Sequence, residues 1–562
     1  MGETHASEDS YLGAECSPAE THAPPSQETS NAINHSPAVQ YPPTWRLICL
    51  ALALYLALFC ACLDQTVLAT ATPRITSEFH SADHIGWYGS SYLISMCAVK
   101  MVWGKLYTLF PPKWVFMTGV AVFEVGSLVC GLAPSSVALI LGRAIAGLGA
   151  SSIDSGIVII FLLSVPLAKQ PLFITSMGSI RGITAAVGPP LGGTLTDNAS
   201  WRWCFYINLP CGAITMIVVF LLLSPGQFDT SSPEPDARRT NPYWKQTLQS
   251  IDLLGTLLLV SGTVSLLLWL QLGGATYSWS NWRIILLITL SAVLLLLFLA
   301  VQHKLQDKAL LPLRLFHNRN VLGGSWFVSC TTGALFVFIY YLPIWLQEIQ
   351  QLSPTTSGLS LLATELGMVT FSLLGGALVT LLGYYTPFLI ASSVISAIGA
   401  GMLSTLQPGS SMAAWIGYQV LFSAGVGLGA QNAFLIAQVA VAQSEKIDAV
   451  NVMGFAQTLS GAVVLAVSNS LFQGRLGANF EGLGLGVPDI GVVLKGTSVV
   501  WEVIPQGLDE AVLGAYNRGI RETFYFGVAL SAVSLIGSVV LEWKSIRKHE
   551  DFGKGAESET KT

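Results

Sequence analysis

Residues 284–302 read IILLITLSAVLLLLFLAVQ, nineteen consecutive positions without a charged side chain. At 1.5 Å per residue such a helix is about 28 Å long, close to the roughly 30 Å hydrocarbon core of a bilayer. Read outward from this run, apolar stretches of similar length recur near 47–67, 87–107, 114–133, 137–162, 172–195, 204–224 and 252–271. Six more follow near 323–347, 357–380, 387–406, 413–437, 451–473 and 522–543. The expectation is an all-α polytopic membrane protein with fourteen spans, grouped as six, two central extra helices and six.

Composition agrees. The chain has 562 residues, of which 52% are hydrophobic and 10% charged, against about 25% charged in a soluble domain. Mean hydropathy is +0.60. The 54 glycines suit helices that approach closely in lipid. A net charge of −5 is small for this length and says nothing of partners, and no basic run suggests nucleic acid. Nine cysteines lack any Cys-x-x-Cys spacing, and they read as small buried apolar residues. No metal site or cofactor is expected.

Residues 1–45 are polar and Pro-rich and read as a disordered tail, with no cleavable signal because the first apolar run begins near Leu47. The expected domains are an amino-terminal six-helix bundle over 46–225 and a linker with two helices over 226–303. A second bundle over 304–543 contains a long external loop, 474–521, and a tail over 544–562 follows. With both termini in the cytoplasm, inner segments hold Lys105, Lys113, Lys169, Arg314, Arg319 and Lys446, and outer segments hold few cations outside that loop. Leu141, Arg143, Ala144, Gly147, Leu148, Gly149 and Ala150 align with Leu421, Ser423, Ala424, Gly427, Leu428, Gly429 and Ala430. Each stretch lies in the fourth helix of its block, which indicates a parallel repeat and two bundles related by pseudo-two-fold symmetry.

Several motifs share one resemblance. Leu63-Asp64-Gln65-Thr66-Val67 through Pro73 resembles the first-helix signature of the fourteen-helix drug:proton antiporters of the major facilitator superfamily. Leu141-Gly142-Arg143-Ala144 through Gly149 resembles its fourth-helix arginine motif, and Gly188-Pro189-Pro190-Leu191-Gly192-Gly193 its antiporter motif. Trp201 through Pro210, Asp252 through Thr256, Tyr341-Leu342-Pro343 and Gly417-Tyr418-Gln419 extend the similarity, which looks closest to fungal toxin-efflux pumps. The resemblance implies a proton-coupled exporter of small amphipathic organic molecules working by alternating access. Its partners would be a small-molecule substrate, protons and the lipid bilayer. A monomer is expected, in the plasma membrane or the vacuolar membrane. The loop motif after the second helix is degraded: Thr108 stands where the family carries an acidic residue.

Charges inside spans are costly, at least ~2.5 kcal/mol at the bilayer centre, so each faces a partner or a wet cavity. Asp64, Lys100, Glu124, Arg143, Asp154, Arg181 and Glu365 fall within the apolar runs. Asp64, Arg143, Glu124 and Asp154 are the candidates for proton coupling, and the resemblance implies that Arg143 helps a nearby acid, Asp64, release its proton. Lys100, Arg181, Glu365 and Gln419 are the candidates for the substrate cavity. Each has a plainer alternative: Glu124 and Arg181 could neutralise one another, and Lys100 could snorkel to the interface or pair with Glu124 or Asp64. Gly188, Gly192 and Gly193 form an expected small-residue seam, and Pro189 and Pro190 a bend, which the resemblance assigns to a hinge and seal. Phe327, Phe336, Phe338, Tyr340 and Tyr341 either line a cavity or pack.

The absence of a Gly-x-x-x-x-Gly-Lys-Ser/Thr loop excludes an ATP-driven pump of that type. An importer of the same fold is the alternative. A membrane-embedded enzyme would want clustered His, Asp or Glu at one face, whereas His303 and His317 are isolated in the sequence; the expectation is not an enzyme.

Overall fold

The computed structural model describes residues 43–81, 84–166, 169–223, 252–273, 277–306, 309–442, 445–481 and 509–543. The expected tails, over 1–45 and 544–562, lie almost entirely outside the described residues. So do residues 224–251 of the linker.

The helices are α1 (Thr44–Phe79), α2 (Ile85–Ala98), α3 (Lys100–Leu109), α4 (Pro112–Gly131), α5 (Ser136–Ser164), α6 (Gln170–Asn198), α7 (Trp203–Tyr206) and α8 (Asn208–Leu222). A central pair follows, α9 (Leu253–Leu272) and α10 (Trp282–Leu305). The second group is α11 (Arg319–Glu348), α12 (Pro354–Leu382), α13 (Thr386–Leu403), α14 (Met412–Gly429), α15 (Ile436–Val439), α16 (Lys446–Glu481) and α17 (Asp509–Val540). Chain punctuation is local: Ser135, Asp252, Asn281, Asn318, Ser353 and Ser411 cap helix starts, and Gly383 ends α12 in the left-handed region at φ 80°.

Among the described residues, twelve helical segments are long and apolar enough to cross a membrane, not fourteen. The other two expected spans are present as helices of a different character. One is interrupted at Val99, where φ −99° and ψ 1° leave the helical region, so α2 and α3 are each short. The other, α6, is rich in Gly, Ser, Thr and Pro. α2 packs on α5 and α9, α3 on α5 and α16, and α6 on α1 and α12. α10 is the most apolar span and the least buried. The expected loop 474–521 is shorter at both ends, because α16 continues to Glu481 and α17 begins at Asp509.

The sequence repeat corresponds to equivalent packing. A side chain at Gly147 would run into Tyr92 of α2, and one at Gly149 into Phe123 of α4. In the second bundle, a Cβ at Gly427 would lie 2.8 Å from the Met368 carbonyl of α12, and one at Gly429 would strike Ser392 of α13. The fourth helix of each bundle therefore uses the same two glycines to approach the second and third helices of its bundle.

Candidate functional site

Two buried charge clusters occupy the first bundle. In one, Arg143 of α5 pairs with the Asp64 carboxylate of α1 and approaches its carbonyl oxygen at 3.3 Å. Arg143 Nε donates to the Tyr88 carbonyl of α2 at 2.9 Å, and the guanidinium lies over the Tyr92 ring, 4.5 Å from its centroid. Asn208 of α8 donates to the other Asp64 oxygen at 3.5 Å and to Ser127 Oγ of α4 at 3.2 Å. Asp64 and Arg143 are almost fully enclosed. Five helices converge here, and each charge is satisfied by its neighbours.

In the second cluster, Asp154 of α5 accepts from Lys100 of α3 with one oxygen and from Arg181 of α6 with the other. The break at Val99 places Lys100 at the first position of α3. Lys100 therefore pairs with Asp154, not with Glu124 or Asp64, and its burial rules out snorkelling. Arg181 likewise goes to Asp154, so the expected Glu124–Arg181 pair does not form. Both follow from depth: Asp154 sits between the helices that carry the two cations. This cluster is not sealed, since the Arg181 side chain is 34% exposed.

Glu124 lies apart on α4, against Gly212 of α8, with both carboxylate oxygens buried and without a hydrogen-bond partner. Glu365 of α12 is at the bundle boundary, where a Cβ on Gly182 of α6 would lie 3.6 Å from its Oε2. Gln419 is fully buried, accepting from Thr364 at 2.9 Å and donating to the Trp415 carbonyl at 3.2 Å. It ties α12 to α14.

The glycine-proline motif packs α6 on α1. Side chains at Gly188 and Gly192 would strike Thr66 and Thr70, while a Cβ at Gly193 would meet nothing within 4 Å. Gly193 therefore stands outside the seam expected for it. Helix α6 remains a single element through Pro189 and Pro190.

The bundles meet through residues that sequence reasoning did not select. Ser372 Oγ of α12 donates to the Thr175 carbonyl of α6 at 3.0 Å, and a Cβ on Gly178 would lie 3.6 Å from Ser372 Cβ. Gly104 of α3 abuts Asn451 of α16, and Lys105 donates to the Ala309 carbonyl at 3.3 Å. The small residues Gly178 and Gly182, four apart, were the available signal. These contacts cluster at the end of the molecule where α6 and α16 begin and α3 ends.

Among the described residues, no group of three or more His, Cys, Asp or Glu side chains is arranged to hold a metal ion.

Comparison with known proteins places this geometry. The Major Facilitator Superfamily profile matches residues 54–272 and 253–466. The chain is 47% identical over 511 residues to the MFS-type transporter ungB of Aspergillus violaceofuscus, covering 91% of this chain and 92% of the relative. It is 44% identical to the efflux pump roqT of Penicillium rubens, over 93% of this chain and 96% of the relative. Similarity to the MFS-type efflux pump MFS1 of Trichophyton rubrum is 39%, over 92% and 95%. Among solved structures, the human organic anion transporter MFSD10 superposes with a TM-score of 0.54 at 14% identity, covering 87% of this chain and 100% of that one. The proton:xylose symporter XylE gives 0.54 at 12%, over 84% and 98%. On profile, relatives and fold together, this chain is a multi-pass membrane transporter that belongs to the Major Facilitator Superfamily.

Proposed function

We propose that the protein is a proton-coupled exporter of small amphipathic organic molecules, with fourteen spans and both termini in the cytoplasm. The efflux pumps among its relatives support the direction of transport. The observation that carries the coupling is the position of Asp154. Its two cations come from α3 and α6, the helices of the first bundle with the most extensive contacts to α16 and α12 of the second. Protonating a carboxylate that holds such cations cancels the attraction, so α3 and α6 become free to shift against the second bundle. A proton taken up at one face and released at the other thereby exchanges for substrate. Asp64 with Arg143, and the unpartnered Glu124, supply further carboxylates along the same bundle. With the amino terminus cytoplasmic, the bundle contacts near Lys105 and Ser372 close the cytoplasmic side, and the substrate leaves from the opposite side. The plasma membrane is the proposed location, with the vacuolar membrane as the other.

The test is flux into inside-out vesicles with an imposed pH gradient and no ATP. Uptake of an amphipathic dye that collapses when the gradient is dissipated is expected. Gradient-independent flux would remove proton coupling, and flux of the opposite sense would make the protein an importer. Protease protection of terminal tags, and of a tag between 482 and 508, checks the topology; termini on opposite faces would end the fourteen-span reading.

A further inference from the structure

Lys100 and Arg181 share a single carboxylate. Among the described residues, Asp154 is the acid that pairs with either of them, and Glu365, across the boundary on α12, forms no ion pair with them. One positive charge is therefore left over inside the membrane, where a lone charge is costly unless something neutralises it. It is also reachable. Arg181 lies eleven residues, about 16 Å, into the 29-residue helix α6, yet its side chain is 34% exposed. Gly178 and Gly182 flank it and pack on α12, so Arg181 sits on the part of α6 that borders the second bundle. Arg181 Nη2 donates to Asp154, while Nε is buried and without a hydrogen-bond partner.

An apolar stripe of α16 adjoins the other cation, Lys100. A Cβ on Gly454 of α16 would lie 3.3 Å from Lys100 Cε, and one on Gly461 would lie 3.1 Å from the Phe336 ring. Positions seven apart share a helix face, about 10.5 Å apart along the axis. Phe336 stacks on Tyr340 of α11 with ring centroids 6.2 Å apart and an interplanar angle of 16°. Tyr340 is 44% exposed, unlike Phe327, Phe338 and Tyr341, which are buried. The cation and the stacked rings thus border one stripe of α16.

We propose that this stripe is the binding site for a singly charged aromatic carboxylic acid. Its carboxylate lies against the exposed part of the Arg181 side chain, on the side of Lys100, and its ring system lies toward Phe336 and Tyr340. The anion supplies the charge that Asp154 alone does not. This assignment rests on the reading of the chain as a carrier of small organic molecules through the space between its bundles, and it narrows their class to organic anions.

The experiment is equilibrium binding of radiolabelled 2-naphthoate and its neutral isostere 2-naphthamide to the full-length protein in nanodiscs, with no gradient imposed. The wild type is expected to bind the carboxylate roughly tenfold more tightly than the amide. Arg181→Gln should bring the two within about twofold, and Asp154→Asn, which frees both cations, should keep or raise the preference. Equal affinities in the wild type, or an undiminished preference in Arg181→Gln, would overturn the site. If Arg181→Gln does not elute as a monodisperse protein, Arg181→Lys replaces it: retained preference supports the site and loss of it refutes it. Binding without any flux would defeat the exporter and leave this site standing, whereas gradient-driven export of neutral compounds with no anion preference would do the reverse.

Discussion

Arg143 and Asp64 form a sealed ion pair in the first bundle, with Arg143 also fastened to the Tyr88 carbonyl and stacked over Tyr92. Removing one partner leaves the other charge buried and alone, which costs roughly 3–5 kcal/mol. Arg143→Ala is therefore expected to lower abundance and thermal stability in detergent as well as export. The double variant Asp64→Asn/Arg143→Ala should recover much of the stability, since no net buried charge remains. Stability equal to that of Arg143→Ala in the double variant would show that the guanidinium's other contacts dominate. Export per inserted molecule in the double variant separates coupling from folding: full activity there would exclude this pair from proton coupling.

The glycines of the α6 motif are expected to behave unequally. Gly188→Ala drives a methyl into Thr66, whereas a Cβ at Gly193 meets nothing within 4 Å. Gly188→Ala should reduce export severalfold or more, and Gly193→Ala should leave it near wild type. Adding Thr66→Ala to Gly188→Ala should restore part of the loss by removing the opposing atoms. Equal sensitivity of the two glycines would contradict the packing seen here.

A disulfide test addresses the bundle contact. A Cβ at Gly178 would lie 3.6 Å from Ser372 Cβ, within the usual span for a disulfide. Gly178→Cys/Ser372→Cys, in a background with the native cysteines replaced, is expected to cross-link on oxidation. With a protease site placed between residues 224 and 251, the halves should then stay together on a non-reducing gel. Export should stop when the link forms and return on reduction. Undiminished export with the link complete would mean that this contact need not open.

At the far end of α1, beyond its apolar span, Glu78 fastens the start of α7. Trp201 Nε1 donates to it at 2.6 Å and Arg202 pairs with it at 2.9 Å. The Trp201 hydrogen bond, helped by Arg202, holds its carboxyl below the usual range. A carboxylate depressed in this way contributes stability that is present above its unfolded value, about 4.3, and is lost as pH falls through the lower folded value. Hydrogen exchange of residues 200–206 should accordingly rise only below about pH 4. In Glu78→Gln the exchange should be high and flat across that range. A wild-type transition near pH 6 would assign the effect to another group.

Much of this protein is legible without its structure. An uninterrupted apolar run such as 284–302 reports a membrane helix because its cause is local: twenty or so side chains in sequence meet lipid. The Gly147/Gly149 and Gly427/Gly429 repeat is equally local, and the motifs around Asp64, Arg143 and Gly188 suffice to indicate the family. The runs 87–107 and 172–195 also become helices, α2–α3 and α6, although neither is among the twelve segments long and apolar enough to cross a membrane.

The pairing of charges was decided by tertiary structure alone. Sequence spacing places Arg143 and Asp154 on one face of α5, but it says nothing of the rotation and depth of α1, α3 and α6. Packing against Gly188, Gly192 and the break at Val99 sets those, and so assigns Asp64 to Arg143 and gives Asp154 both Lys100 and Arg181. The same rotation turns Gly193 away from the seam that its neighbours form, and it buries Gln419 between α12 and α14. Composition locates a buried charge within a helix; only the relative placement of several helices selects its partner, because an ion pair is a contact between atoms that the chain order leaves tens of residues apart.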